Sequence, residues 1–250
     1  MKTEFDTSNE AWEVYKLLYE VNFPDGIELK QNKRRRFIEE RITVNNRTSA
    51  KPINFSGDTD FNYTKGFAHS RLTAYRKYLK DGRIPGKYAK IYSNNLTIFE
   101  ELTYSIVNVS LIPQNGNMQA IKQGVGNDRL DTFIWALDEY YNKTSNVLFN
   151  HSSANNMPVL KEYLAMYQDV YEYCATVYHI NESLVDELIE SGKRAVDSPE
   201  RVIEFMNLTY RFWTQKAKFL RAQADVKKNT AVIEMLDEIS EKLNLLFAGE

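Results

Sequence analysis

Four ionisable side chains, Lys122, Asp128, Arg129 and Asp131, crowd one short stretch where a Gly/Asn-rich loop gives way to a patterned helix. A helix start presents unpaired N–H groups and the positive end of its dipole, so such a turn can hold an anion. Asn127 adds an amide there, and Arg71, from an earlier helix, adds a guanidinium. Two chemistries fit these residues. In the first, Arg71, Lys122, Asn127, Arg129 and the helix end Asp128–Asp131 take an anionic ligand or partner group. In the second, Asp128 and Asp131 act as acid and base or as magnesium ligands on a nucleotide or nucleic acid, with Lys122 and Arg129 neutralising phosphate. A bland arrangement uses the same residues: Asp128 (or Asn127) caps the helix and Asp131 is the acid of its first turn.

The elements that would position these groups follow from periodicity. Val107, Val109 and Leu111 alternate with Asn108 and Ser110, which predicts a strand over Ile106–Ile112 and a small β element around residues 104–113. Leu130, Phe133, Ile134, Leu137 and Tyr141 form the core stripe of the helix after the loop, with Asp131, Trp135 and Asp138 on a separate side. In the helix predicted over Gly66–Lys80, Arg71 lies beside the apolar stripe Ala68, Leu72, Tyr75 and Leu79. A buried guanidinium keeps its charge, so a carboxylate from Asp60, Asp128 or Asp131 is expected within about 3.2 Å of Arg71.

The other motifs exclude more than they assign. Asp58-x-Asp60-x-Asn62 opens like a calcium loop, but Tyr63 and His69 stand where the turn glycine and the bidentate glutamate are needed. Gly82-x-x-x-Gly86-Lys87 is one residue short of a phosphate loop, and Gly124-Val125-Gly126 lacks the third glycine of a dinucleotide fingerprint. The three histidines are scattered, no G-x-S-x-G occurs, and Cys174 falls in a core stripe, so metal and nucleophilic catalysis are disfavoured and no cofactor is named. The run Lys33–Arg36 reads as a solvated face of a helix over Glu28–Arg41 rather than as a nucleic-acid patch.

The remaining text is helical. Ser8 caps a first helix, Asn94–Leu102 is a short one, and Pro158 opens a long one whose stripe runs from Leu160 to Tyr178. Ser183–Glu190, Ser198–Ala224 and a helix capped by Thr230 follow. The helix Ser198–Ala224 carries two apolar stripes, so it is expected to be covered on two sides, by the chain or by a partner copy. The fold class expected is α+β and predominantly helical, with a basic-leaning part at 1–150 carrying the motifs and an acidic-leaning helical part at 151–250 packed on it.

Composition bounds the setting. The 250 residues, 43% hydrophobic and 13% aromatic, are enough for a sizeable core. Residues 1–93 hold 18 Lys/Arg against 12 Asp/Glu, and the rest hold 14 against 22, an asymmetry suited either to an anionic partner or to mutual attraction of the two parts. No apolar run approaches the ~18 residues a membrane span requires, the first residues do not read as a secretory signal, and the lone Cys174 agrees with a cytoplasmic protein.

Across residues 58–141 the order Asp58/Asp60, Leu72-Thr73-Ala74-Tyr75, Ile84-Pro85-Gly86, Pro113, Gly116, Asp128-Arg129-Leu130-Asp131 and Tyr140-Tyr141 resembles a bacterial protein family of unknown function. The chain departs from that pattern at Arg76, where the family tends to carry histidine, and in the turn Lys80–Arg83. The resemblance implies a bacterial protein and supplies no reaction.

Overall fold

The computed structural model describes residues 8–23, 38–63, 95–113, 118, 122, 129–144, 147–149, 157–196 and 198–246. Helix α1 (Asn9–Asn22) begins at Ser8, whose hydroxyl accepts from the Ala11 N–H at 3.0 Å. It packs Tyr15 on a three-stranded antiparallel sheet in the order β1 (Ile38–Glu40), β4 (Ile53–Thr59), β5 (Val109–Pro113). Between β1 and β4 a two-stranded ribbon, β2 (Thr43–Val44) and β3 (Arg47–Thr48), turns at Asn45 and Asn46. Both asparagines have positive φ (53° and 60°), the backbone of the tight turns that suit paired strands.

The β element is therefore larger than the sequence pattern predicts. Residues 38–40 pair as an edge strand instead of ending a helix, and β4 runs through the middle of a stretch read as polar and extended. The strand expected from Ile106 starts only at Val109, because residues Ile106–Asn108 form a 3-10 turn. Gly57, at the centre of β4, is where Tyr15 of α1 comes down on the sheet, and a Cβ there would overlap the tyrosine ring.

Around this sheet stand α2 (described over 95–102), α3 (Leu130–Tyr141), α4 (Met157–Leu164), α5 (Val170–Val177), α6 (Glu182–Gly192), α7 (Pro199–Lys227) and α8 (Thr230–Leu245). The single helix expected from Pro158 to Tyr178 is two, because the Asp169 carboxylate turns to cap the Glu172 N–H at 2.8 Å and starts a new helix. Asn229, not Thr230, caps α8. Helix α7 is covered on two faces as expected: Val202, Met206, Trp213 and Leu220 are buried on one, and Phe205, Leu208 and Phe212 on the other, while Phe219 is half-buried and stacks on His179 at 3.7 Å. Helices α3 and α6 approach closely at Gly192, where a Cβ would sit 2.8 Å from the Cβ of Trp135. The side of α3 that carries Asp131 and Trp135 thus faces α6. Residues before and after position 150 contribute to one continuous hydrophobic core. No helix among the described residues is long and apolar enough to cross a membrane.

Candidate functional site

Residues 58 and 60 lie two apart at the end of β4, and so point to one side of the chain. On that side the sheet meets α7, and a lysine stands in the middle of the helix's apolar surface. Lys216 is 0% exposed; its Nζ lies 2.7 Å from Oδ2 of Asp60, itself 1% exposed, and also donates to Ser110 Oγ and to the Val109 carbonyl. The Ser110 hydroxyl in turn donates a hydrogen bond to Asp60 Oδ2 at 2.8 Å. Burial lowers the Lys216 pKa and the charge of Asp60 opposes that shift. Beside this pair Lys122 is buried, salt-bridged to Asp58 and donating to the Thr59 carbonyl. Asn108 closes the cluster: its Oδ1 accepts from Phe61 N–H (3.0 Å) and from Trp213 Nε1 (2.8 Å), and its Nδ2 donates to Phe61 and Thr103 carbonyls.

A β-bridge between Phe61 and Arg129 carries the chain from this cluster to the start of α3. The helix N-cap is Arg129 itself, without a side-chain cap, so neither Asp128 nor Asn127 occupies that position. Asp131 is fully buried and receives four donors. Arg129 Nε reaches Oδ1 at 3.0 Å and Nη2 reaches Oδ2 at 2.5 Å; Ser191 Oγ of α6 donates to Oδ2 at 2.7 Å and the Thr132 N–H to Oδ1 at 2.9 Å. An ionised carboxylate has about four acceptor sites, and all are used. Arg129 also spans to the Arg194 carbonyl at 3.4 Å and lies over the Phe205 ring, 5.3 Å from its centroid.

Of the six residues singled out in the sequence, Lys122, Arg129 and Asp131 thus serve as closed ion pairs. Arg71, Asn127 and Asp128 lie outside the described residues, as do the basic run Lys33–Arg36 and the turn Lys80–Lys90. Two of the carboxylates expected to hold Arg71 are engaged elsewhere, Asp60 by Lys216 and Asp131 by Arg129. Among the described residues no group of three or more His, Cys, Asp or Glu side chains could hold a metal ion. Cys174 is buried, and burial pushes its thiol well above the ordinary pKa.

The sequence reading missed Lys216 and Arg201. Lys216 follows Phe212 by four residues and Trp213 by three, and precedes Leu220 by four, so a lysine within the apolar surface of α7 was its visible signal. Arg201 belongs to a cleft of about 400 Å³ between α6 and α7, on the far side of Ser191 from Asp131. Most charges in that cleft are matched: Glu187 binds Arg211 in a two-pronged pair, Glu190 binds Lys193, and Asp186 accepts from the Tyr171 hydroxyl at 2.7 Å. The Asp186 bond, with some burial, pushes the Tyr171 pKa up to about 12. Arg201 is 13% exposed and gives only Nη1, to Glu204; its Nε and Nη2 are buried without a partner. No known protein family, curated protein or solved structure matches the chain, so the reading of these residues rests on their own geometry.

Proposed function

We propose that the protein is a binding or regulatory module that takes an anionic ligand or partner group beside the Lys122–Asp131 loop-to-helix turn. The observation that supports binding over turnover is Asp131: four donors fill its oxygens, leaving no lone pair for a proton in flight or a magnesium ion. A carboxylate in that state positions its neighbours: it holds Arg129 in an ion pair and fixes Ser191, which lines the α6–α7 cleft. A bacterial cytoplasmic setting goes with this reading, since Cys174 is a free, buried thiol.

Native mass spectrometry of the purified chain, followed by thermal-shift measurement with nucleotides, phosphate and carboxylates, tests it. The expected result is a retained anion, or a raised Tm with an anionic compound, and no conversion of that compound in the presence of magnesium. Magnesium-dependent turnover of a nucleotide or nucleic acid that disappears in a folded Asp131→Asn variant would overturn it in favour of an enzyme.

A further inference from the structure

We propose that His179 and Asn22 form a proton-operated joint, which releases the C-terminal turn of α1 from the end of α5 when the histidine takes up a proton. The joint works whatever the protein binds.

His179 follows Tyr178, the residue that caps α5, and its φ is 58°, in the left-handed region that histidine enters more readily than most residues. That turn lays the imidazole on α7, stacked on Phe219 with ring centroids 3.7 Å apart and planes within 6° of each other. Both ring nitrogens are in use. One N–H donates to the Ala175 carbonyl in α5, and Nε2 lies 3.0 Å from the side-chain nitrogen of Asn22, the last residue of α1. That nitrogen is also 3.0 Å from the Leu18 carbonyl and 3.1 Å from the Thr176 carbonyl, so its two hydrogens serve three acceptors. The contact with Leu18 stays within α1, whereas those with Thr176 and His179 tie α1 to the end of α5. Such a set needs a neutral ring, with its hydrogen on Nδ1 and a lone pair on Nε2.

A proton on Nε2 sets donor against donor. The Asn22 amide must then turn its oxygen to the ring, and that oxygen faces the carbonyls of Leu18 and Thr176 instead of supplying them with hydrogens. Asn22 is buried, so the mismatch is not relieved by solvent while the joint stays closed. The amide therefore has two settings, one for each charge state of His179, and only the neutral one holds α1 on α5.

The neighbours on α7 do not provide another anchor for the charged ring. The Phe219 face accepts either form. Lys216 acts on the ring as a like charge, already matched by Asp60, and Gln215 is neutral and bonded to Asn181 at the start of α6. Between α1 and α7 the exposed pair Glu20–Lys227, at 2.9 Å, is a further titratable contact.

Burial, and then the Lys216 charge, lower the His179 pKa to about 3 in the closed joint, against 6.5 for a free ring. The open joint thus binds the proton more tightly. Below pH 6.5 opening is favoured by up to about tenfold per pH unit, a gain that ends near pH 3, and at pH 4.5 it reaches up to about 100-fold.

Hydrogen exchange of the full chain between pH 7 and pH 4.5, expressed as protection factors that remove the intrinsic pH dependence of exchange, tests the proposal. Protection at the end of α1 should fall by about tenfold to 100-fold, while the middle of α7 keeps its protection. In His179→Gln, which retains the Glu20–Lys227 pair, the fall should shrink to within about threefold. An equal fall in the variant would assign it to carboxylates and overturn the proposal, as would no fall in the parent or a parallel loss in α7. A nuclear magnetic resonance titration of the assigned His179 ring in the parent gives a check that needs no variant. Its transition should coincide with the loss of α1 protection, and a ring that titrates while α1 stays protected, or only as the whole chain unfolds, would refute the joint.

Discussion

Among the described residues, the charges at the end of the sheet and those in the α6–α7 cleft are arranged differently. At the end of the sheet, Asp58, Asp60, Lys122 and Lys216 are matched one to one, with Ser110 and backbone carbonyls taking the remaining donors. In the α6–α7 cleft the pairs are largely exposed, and Arg201 keeps two buried donors unmet. The first arrangement has no freedom left to recognise anything; it ties α7 to the sheet and fixes where strand and helix meet. The second carries a desolvation penalty at Arg201 that no described residue offsets. Density of charge was what drew attention to Lys122 and Asp131 in the sequence, and the structure holds both in closed ion pairs.

Breaking the closed cluster should have the largest effect. Lys216→Met leaves Asp60 buried without its cation, and loss of one partner of a buried pair costs on the order of 3–5 kcal/mol. Urea denaturation should show it, and an additional Asp60→Asn change should recover part of the loss. A loss below about 1 kcal/mol would place Lys216 in the class of surface pairs and end the contrast.

Next comes the joint between the regions. Gly192→Ala puts a methyl group against the Asp131 carbonyl and the Trp135 Cβ, neither of which is the end of a flexible side chain. Overpacking of that kind costs about 1–3 kcal/mol. Urea denaturation should show that loss, and an unchanged midpoint would mean that α6 shifts to admit the methyl group at no cost to its contact with α3.

The closed cluster also reaches His179, whose pKa is lowered from 6.5 to about 3, first by burial and then by the charge of Lys216. The folded state holds this histidine neutral while the unfolded chain protonates it near pH 6.5. Its contribution is therefore complete above that pH and is lost as pH falls toward 3. His179 keeps part of its surface in solvent, so the slope should stay below the roughly 1.4 kcal/mol per pH unit of one whole proton. Stability measured between pH 7 and pH 4 should depend less on pH in His179→Gln, and an identical slope would refute the assignment.

The smallest effect has the opposite sign. Arg201→Met removes two unmet buried donors, so the protein should gain up to about 1 kcal/mol in urea denaturation. A clear loss of stability would mean that Arg201 is structural and that the two regions obey one rule.

Much of the helical architecture was legible from local pattern. The stripes of α1, α3, α7 and α8 set their buried faces, since a 3.6-residue period can be read without knowing what it packs against. Two-sided burial of α7 followed from its two stripes. The sheet was harder. Strand β4 is buried along its length and so lacks the alternation that marks a half-exposed strand, and Asn45-Asn46 was the one turn signal in the ribbon before it.

Charges depend on partners far away in sequence, and their fates were decided by the tertiary structure. Asp131 was legible as a first-turn acid, but its burial depends on Ser191 and Gly192, some sixty residues later. Lys216 and Asp60 stand 156 residues apart, and no period or motif connects them. Arg201 carried a sequence signal, a cation where a capped helix wants an acid, but the burial that leaves its Nε and Nη2 unmet is a property of the folded chain. Propensity and hydrophobic period act over a few residues, so the chain's local order states them directly. Whether a charge is matched depends on which distant group folding brings within hydrogen-bond reach, and that is a property of the fold.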